Sequence, residues 1–361
     1  MSKRVVITGA TGNVGTSVLR ALAADPEIGS VHGIARRIPD GTPAGTTWTE
    51  LDLGAAGDPD KHPASVDALA KVFDGADAVI HLAWLFQPTH KPEVTWRTNV
   101  LGSLRVFEAA ARARVPALIH ASSVGAYSPG PKDRPVPESW PTHGWPDAAY
   151  CREKAYLERI LDLHELRCPE QRVVRMRPAF LFKRESAAEQ RRLFAGPLLP
   201  NRLVRPHALP VVPDVPGLRV QALHTDDAAQ AYRLAVLREV RGAFNLAADP
   251  PVDAKVLAEM FGARAVRTPR ALARGALAAG WGARLLPASP HLFDAVLRMP
   301  LMDCTRAREE LDWRPRHSSV KVLEEFLSGL RDGSGGPTPP LAPRVPGGRA
   351  GEATTGMGTT P

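Results

Sequence analysis

The sequence predicts an α/β fold, a doubly wound parallel sheet with a smaller C-terminal substrate-binding portion. Three observations predict it. Short apolar, β-branched runs alternate with helical patterns from residue 4 to residue 247. Two of the runs, AVIHL and ALIHA, are apolar almost throughout, as strands buried on both faces are. Glycines at 9, 12 and 15 follow the first run directly, where a strand must turn into a helix.

The elements follow in order. Strands are expected at 4–8 (RVVIT), 31–35 (VHGIA), 78–82 (AVIHL), 117–121 (ALIHA), 172–176 (RVVRM) and 243–247 (AFNLA). Helical patterns occupy 13–24, 65–74, 98–114, 148–167 and 226–239. LDL at 51–53 has the pattern of a short strand leading to a polar turn. After residue 177 the regularity falls. Residues 183–218 are rich in Pro and Arg and read as long loops with short elements, and 253–330 read as mostly helical. The tail, 331–361, holds too few large apolar residues to offset its ordering entropy and is expected to be disordered.

Bulk composition excludes several classes. A chain of 361 residues is long enough for one large or two modest domains, and 44% hydrophobic content suits a globular one. No run of 18 apolar residues predicts an integral membrane segment, and MSKRVVITGA enters a strand without the apolar region of a signal peptide. The formal charge is +8, but the arginines are spread over the whole chain rather than clustered with aromatics, which argues against nucleic acid. Cys151, Cys168 and Cys304 are too few and too scattered for a disulfide framework or a metal site, so none is expected. A cytoplasmic location follows as the default.

The glycine motif has a mechanical reading. Gly9 permits the tight turn out of the strand. Gly12 removes the side chain where a pyrophosphate approaches the backbone. Gly15 lets the helix lie close to the sheet. The helix N-terminus then offers unpaired N–H groups and partial positive charge to phosphate. The plain alternative is a Gly-rich turn without a ligand. The end of the second strand selects the cofactor. Ala35 stands where an acid would accept the ribose hydroxyls of NAD, and Arg36 and Arg37 follow. A guanidinium there favours a 2′-phosphate, so NADP is expected, with NAD as the alternative. Asp52, with Leu53 beside it, is placed to accept from the adenine amino group.

A second constellation carries the chemistry. Tyr150 and Lys154 are four apart, on one face of the 148–167 helix. A free phenol is a poor base at neutral pH, and a nearby ammonium stabilises its anion. Ser122 and Ser123 leave a buried strand at its carboxyl end, where open α/β sheets bind ligands, and a serine hydroxyl there would hold a substrate oxygen while Tyr150 moves the proton.

With these residues in place, the chain resembles the extended short-chain dehydrogenase/reductases of the NAD-dependent epimerase/dehydratase family. The resemblance rests on TGATGNVG at 8–15, HLAW at 81–84, Asn99, SSVGAY at 122–127, YCREK at 150–154, RPAFLF at 177–182, HTDDAAQAY at 224–232 and DCTRAREELDWRP at 303–315. It implies a Rossmann-type dinucleotide domain over 1–182 and 219–247, with 183–218 and 248–330 enclosing a small-molecule substrate. Tyr150 is implied as acid/base, Lys154 as its partner on the nicotinamide ribose, and Ser123, four before Tyr127, as the catalytic hydroxyl. Ser122 then supports the strand end. Thr11, Gly12, Asn13 and Val14 are implied at the pyrophosphate, Leu82, Ala83 and Trp84 beneath the cofactor, Asn99 at the site wall, and Pro178 to Phe180 beside the nicotinamide.

Departures from the family pattern narrow the chemistry. Trp84 replaces a small residue. The stretch after RPAFL is a long basic insert without the usual Gly-Pro. Val124 and Gly125 stand where dehydratases carry an acidic pair, which argues against 4,6-dehydration. Carbonyl reduction, alcohol oxidation or epimerisation remains, with a cofactor-sensing regulator as the rival class. The remaining features have structural expectations. His81 and His120 read as satisfied core histidines, and Asp226 and Asp227 as an N-cap. Cys151 points away from Tyr150. Residues 271–286 read as a helix over a pocket, another subunit or a membrane surface. The helices at 98–114 and 148–167 allow a homodimer.

Overall fold

The apolar run after the N-terminus forms β1 (Lys3–Thr8), and the glycine turn delivers the chain into α1 (Asn13–Ala23) and then β2 (Ile28–Ala35). The computed structural model describes residues 2–41, 45–55, 64–196 and 210–344. The chain continues through β3 (Thr46–Glu50), α2 (Val66–Phe73) and β4 (Ala78–His81). A helical stretch follows, α3 (Pro92–Trp96) and α4 (Gly102–Arg112), joined by a widened π turn at Arg97–Leu101. Next come β5 (Ala117–Ala121), the short β6 (Pro135–Val136), α5 (Ala149–Arg167) and β7 (Arg172–Pro178). A last sheet strand spans Gly242–Leu246.

Seven parallel strands form the main sheet, in the order Gly242–Leu246, β7, β5, β4, β1, β2, β3. The order reverses between β1 and β4, which opens a crevice at the carboxyl edge. Alternate residues serve opposite faces. Val5, Ile7, Ile80, Ile119 and Val174 pack into one core layer, and Val6, Val79, Leu118 and Val173 into the other. All are 0% exposed, which is why these strands read as continuous apolar runs.

The structure corrects several expectations. The strand near LDL is Thr46–Glu50, so Leu51, Asp52 and Leu53 follow its end. TTWTE lacks an aliphatic run because β3 is a sheet edge, and the Trp48 ring fills the space over Gly33, where a Cβ would meet it at 2.5 Å. The helix expected from residue 98 begins at Pro92, which sits in the first turn where its missing N–H is harmless. The N-cap of the Thr225–Leu237 helix is His224, whose Nδ1 accepts from Asp226 N at 3.1 Å. Asp227 instead accepts from Arg316 N and His317 N. His81 is satisfied, but both ring nitrogens of buried His120 lack a hydrogen-bond partner.

The largest correction concerns the tail. Residues 333–344, expected to be disordered, fold back over the glycine turn. Thr338 Oγ1 donates to Thr11 O at 2.7 Å, and Leu341 is 1% exposed. Arg192 donates to Pro340 O and Ala342 O at 2.7 and 2.8 Å. Ala188 N donates to Ser334 O at 3.0 Å. The rest of the expected tail, 345–361, and the middle of the basic insert, 197–209, lie outside the described residues. A single buried leucine and a few main-chain bonds order a Pro/Gly-rich segment whose prolines already limit its unfolded freedom.

Leu341→Ala removes that anchor and is expected to cost about 2–4 kcal/mol in urea unfolding, the usual range for a buried Leu→Ala. An unchanged unfolding midpoint would show that the tail does not pack.

Candidate active site

The glycine turn is tight for steric reasons. Gly9 has φ +72°, and a Cβ there would stand 2.6 Å from Ala83 N. A Cβ on Gly15 would stand 2.3 Å from Gly9 O. Gly12 differs. It is the N-cap of α1 with no side-chain cap bond, and a Cβ on it would meet only Gly9 O, at 3.5 Å. That space borders a cavity of about 330 Å³ at the carboxyl edge of the sheet.

The cavity joins both sequence constellations. Gly9, Thr11, Gly12, Asn13, Val14 and Gly15 form one wall, with Arg36, Asp52 and Leu53 at the ends of β2 and β3. Leu82, Ala83 and Trp84 form the floor after β4. Ser123, Tyr150, Lys154, Pro178 and Phe180 close the far side. Arg37 and Asn99 do not border it. Asn99 is 0% exposed and clamps the loop after β4 from behind, donating to Leu85 O at 2.8 Å and accepting from Leu85 N at 2.7 Å. Asp52 Oδ1 caps its own turn through Gly54 N, at 2.7 Å.

Tyr150 Oη donates to Ser123 Oγ at 2.8 Å, and Ser123 Oγ accepts from Gly125 N at 3.0 Å. Gly125 is required here, because a Cβ on it would stand 2.6 Å from the Tyr150 ring. Burial pushes the phenol pKa up, so Tyr150 is protonated in the free protein. Lys154 Nζ donates to Ala121 O at 2.6 Å and lies over the Trp84 ring, 3.3 Å from its centroid. Burial pulls the ammonium's pKa well down, against the carboxylates of Glu153 and Glu158. The ring face of Trp84 also favours the cation. Cys151 is buried behind Tyr150, and its thiol is pushed up to about 12, which removes it as a nucleophile.

A buried ion network sets this geometry. Glu158 accepts from Ser122 Oγ at 2.5 Å, from Arg177 Nε and Nη2 at 2.9 Å each, and from Arg175 Nη1 at 3.1 Å. Burial alone would raise its pKa, but the two guanidiniums outweigh it and hold the carboxyl at about 2. Ser122, held this way, fixes the strand end that presents Ser123.

Sequence reasoning missed further side chains at the cavity, among them Phe86, Glu189, Leu193, Phe194, Tyr232 and Met299. Phe86 stacks on Tyr150, with ring centroids 5.0 Å apart at 14°. Tyr232 is 0% exposed and its hydroxyl lacks a hydrogen-bond partner, as does buried Trp84 Nε1. The side-chain-free cradle at Gly12 and these orphaned donors fit a polar, phosphate-bearing ligand such as a dinucleotide. Among the described residues no group of His, Cys, Asp or Glu has metal-site geometry.

Comparison with known proteins agrees with the fold. The profile of the NAD dependent epimerase/dehydratase family matches residues 5–247. A UDP-glucose 4-epimerase of Streptomyces lividans is 30% identical over 168 residues, 45% of this chain and 47% of that protein. An L-arabinose 1-dehydrogenase (NAD(P)(+)) of Haloferax volcanii is 31% identical over 120 residues, 33% of this chain and 41% of that protein. The matched stretch thus spans less than half the length of each of these two relatives. Among solved structures, UDP-glucose 4-epimerase of Thermotoga maritima with UDP-glucose superposes with TM-score 0.65 at 19% identity, over 91% of this chain and 99% of that one. The Thermus thermophilus UDP-glucose 4-epimerase complex with NAD gives 0.64 at 18%, over 91% and 99%. The chain belongs to the NAD dependent epimerase/dehydratase family.

Glu158→Gln leaves buried Arg177 without its counter-ion, while Arg175 keeps Asp162 and Glu165, and is expected to cost about 3–5 kcal/mol in chemical denaturation. The sign with pH follows from the lowered carboxyl. The contribution is fully present above its ordinary value of 4.5 and is lost as pH falls towards about 2. A variant as stable as the parent at pH 7 contradicts this account.

Proposed function

We propose that this enzyme transfers hydride between a nicotinamide cofactor and a hydroxyl- or carbonyl-bearing carbon of a small molecule, with Tyr150 as acid/base. The observation that carries the reading is the pair of hydroxyls on Tyr150 and Ser123, 2.8 Å apart, which faces the glycine cradle across one cavity. A bound nicotinamide supplies or accepts the hydride. The chain's own residues do the rest. Ser123 Oγ and Tyr150 Oη hold the substrate oxygen between them. Tyr150, kept protonated by burial, gives its proton to a developing alkoxide during reduction. In the oxidising direction Tyr150 first releases its own proton to solvent, the Lys154 ammonium one helical turn away favours the phenolate so formed, and that phenolate takes the substrate's proton. Trp84 and Phe86 exclude water from the pair. The names of the two curated relatives, an epimerase and a dehydrogenase, support both outcomes of such chemistry.

The principal cofactor contacts fall into groups: Gly9 and Thr11 to Gly15 at the pyrophosphate, Asp52 and Leu53 at the adenine, and Leu82 to Trp84 below the ring system. Asn99 acts from behind the wall. NADP is the preferred cofactor, because Arg36 borders the cavity at the end of β2 and no acid stands at Ala35. Residues 183–218 and 248–330 supply the substrate side through Leu193, Phe194, Leu292 and Met299. The exposed apolar groups Leu101, Tyr156 and Leu163 on α3–α5 support pairing of two copies. Three free thiols, two of them buried, suit the reducing cytoplasm.

Tyr150→Phe is expected to lower turnover by about 10²–10⁴-fold while cofactor affinity stays within about two-fold. Wild-type turnover in that variant ends the assignment. For the cofactor, Arg36→Ala is expected to weaken NADP+ by about ten-fold in isothermal titration and to leave NAD+ unchanged. Equal loss for both refutes the role given to Arg36.

A further inference from the structure

Which molecule carries the reacting carbon is written in the wall beyond Tyr150. Phe86 lies flat on the Tyr150 ring, Trp84 meets that ring edge-on at 5.7 Å, and Phe194 meets Phe86 edge-on at 5.6 Å. Leu193, Leu292 and Met299 border the same cavity.

This wall is held in place by polar bonds on its outer side. Gln87 is 2% exposed and donates Nε2 to Leu193 O at 2.7 Å and to Pro287 O at 3.2 Å. Thr89 Oγ1 donates to Pro287 O at 2.9 Å and accepts from Trp281 Nε1 at 3.0 Å. Three segments distant in sequence are thereby tied together around the pocket, and preorganised apolar walls favour rigid apolar ligands.

Charge points the same way. The cations bordering the cavity, among the described residues, are Arg36 and Lys154. Arg36 stands at the end of β2, and Lys154 Nζ is engaged by Ala121 O and the Trp84 face. Arg191 and Arg192 donate to the main-chain carbonyls of Gly196, Pro340 and Ala342. The substrate side instead borders Glu189, whose carboxyl burial pushes up to about 7. A diphosphate needs paired cations or several donors when it leaves water. Among the described residues, no cation borders this side of the cavity.

We propose that the enzyme oxidises and reduces an uncharged aryl or alicyclic secondary alcohol and its ketone, held against Phe86 and Phe194, rather than a nucleotide-diphosphate sugar. This rests on the hydride-transfer reading above. In the oxidising direction the carbinol C–H bond breaks and its electron pair leaves as hydride to NADP+ (or NAD+). The O–H proton passes to the Tyr150 phenolate, and the C=O double bond forms. The oxidised cofactor is the only co-reactant.

The experiment uses the full chain with saturating NADP+ and, in parallel, NAD+. Initial rates at 340 nm are measured with 1-indanol and 1-phenylethanol, and product formation with UDP-glucose and UDP-N-acetylglucosamine by chromatography. The expected kcat/KM for the aryl alcohols exceeds that for either UDP-sugar by about 100-fold. Phe194→Ala and Phe194→Leu should raise the indanol KM, the former by about ten-fold, with cofactor affinity unchanged. Faster conversion of a UDP-sugar, or competitive inhibition by micromolar UDP, overturns the proposal. So does absence of 1-indanone binding, by tryptophan fluorescence, to protein that binds cofactor normally. Protein that binds neither NADP+ nor NAD+ instead overturns the hydride-transfer reading itself.

Discussion

Two buried carboxylates on α5 decide where the Tyr150 phenol stands. Ionised groups are costly to bury, by several kcal/mol each, unless every lone pair is matched. Glu158 meets that condition through Ser122, Arg175 and Arg177, which tie α5 to β5 and β7. Glu153 meets it through Thr95 Oγ1 at 2.6 Å and Asn99 Nδ2 at 2.7 Å, which tie α5 to α3 and the π turn. Tyr150 precedes them by three and eight positions on the same rigid helix. Sliding α5 by one residue would strand both charges, so the helix has one favourable seat.

The same requirement explains why the helix pattern was easy to read and its role was not. α5 buries Glu153, Lys154 and Glu158 together with Leu157 and Leu161, so its inward face is half polar. Strand runs such as AVIHL are legible because a parallel sheet covered on both faces needs apolar residues at every position. β3 was illegible by the same logic, since an edge strand packs through one tryptophan over a glycine. The ordered tail was misread because composition measures average burial, and 333–344 depend on a few specific partners, Thr11, Arg192 and the pocket for Leu341.

The site divides along a similar line. The glycine side of the cavity works through backbone geometry, so glycines at fixed spacing announce it. Tyr150, Lys154 and Ser123 sit in short local patterns, and they border the same cavity. The opposite side of the cavity is assembled from residues 84–89, 193–194 and 292–299, far apart and without periodicity. Phe86 and Phe194 acquire meaning only once Gln87 has joined their segments. The β4 histidine illustrates a further limit. Sequence predicts that His81 and His120 are both buried, but not that one is fully bonded and the other has no partner.

That bonded histidine links the two halves. Ser103 Oγ donates its hydrogen to Asn99 O, so towards His81 Nε2, 2.7 Å away, it must accept. His81 therefore carries its proton on Nε2, and Nδ1 accepts from Thr8 Oγ1 at 2.6 Å. The thread runs from Thr8, the residue before the glycine turn, through His81, Ser103 and Asn99 to Glu153 on α5. It has one consistent direction only while His81 is neutral. Burial first, and the Lys154 charge second, hold the imidazole down at about 3. The stabilisation from keeping it neutral is complete above the ordinary value of 6.5 and drains away as pH falls towards about 3, because the unfolded chain takes the proton first. Acid thus weakens the fold before it reverses the thread, and in every molecule that remains folded above that limit the glycine turn and α5 stay tied in the same register.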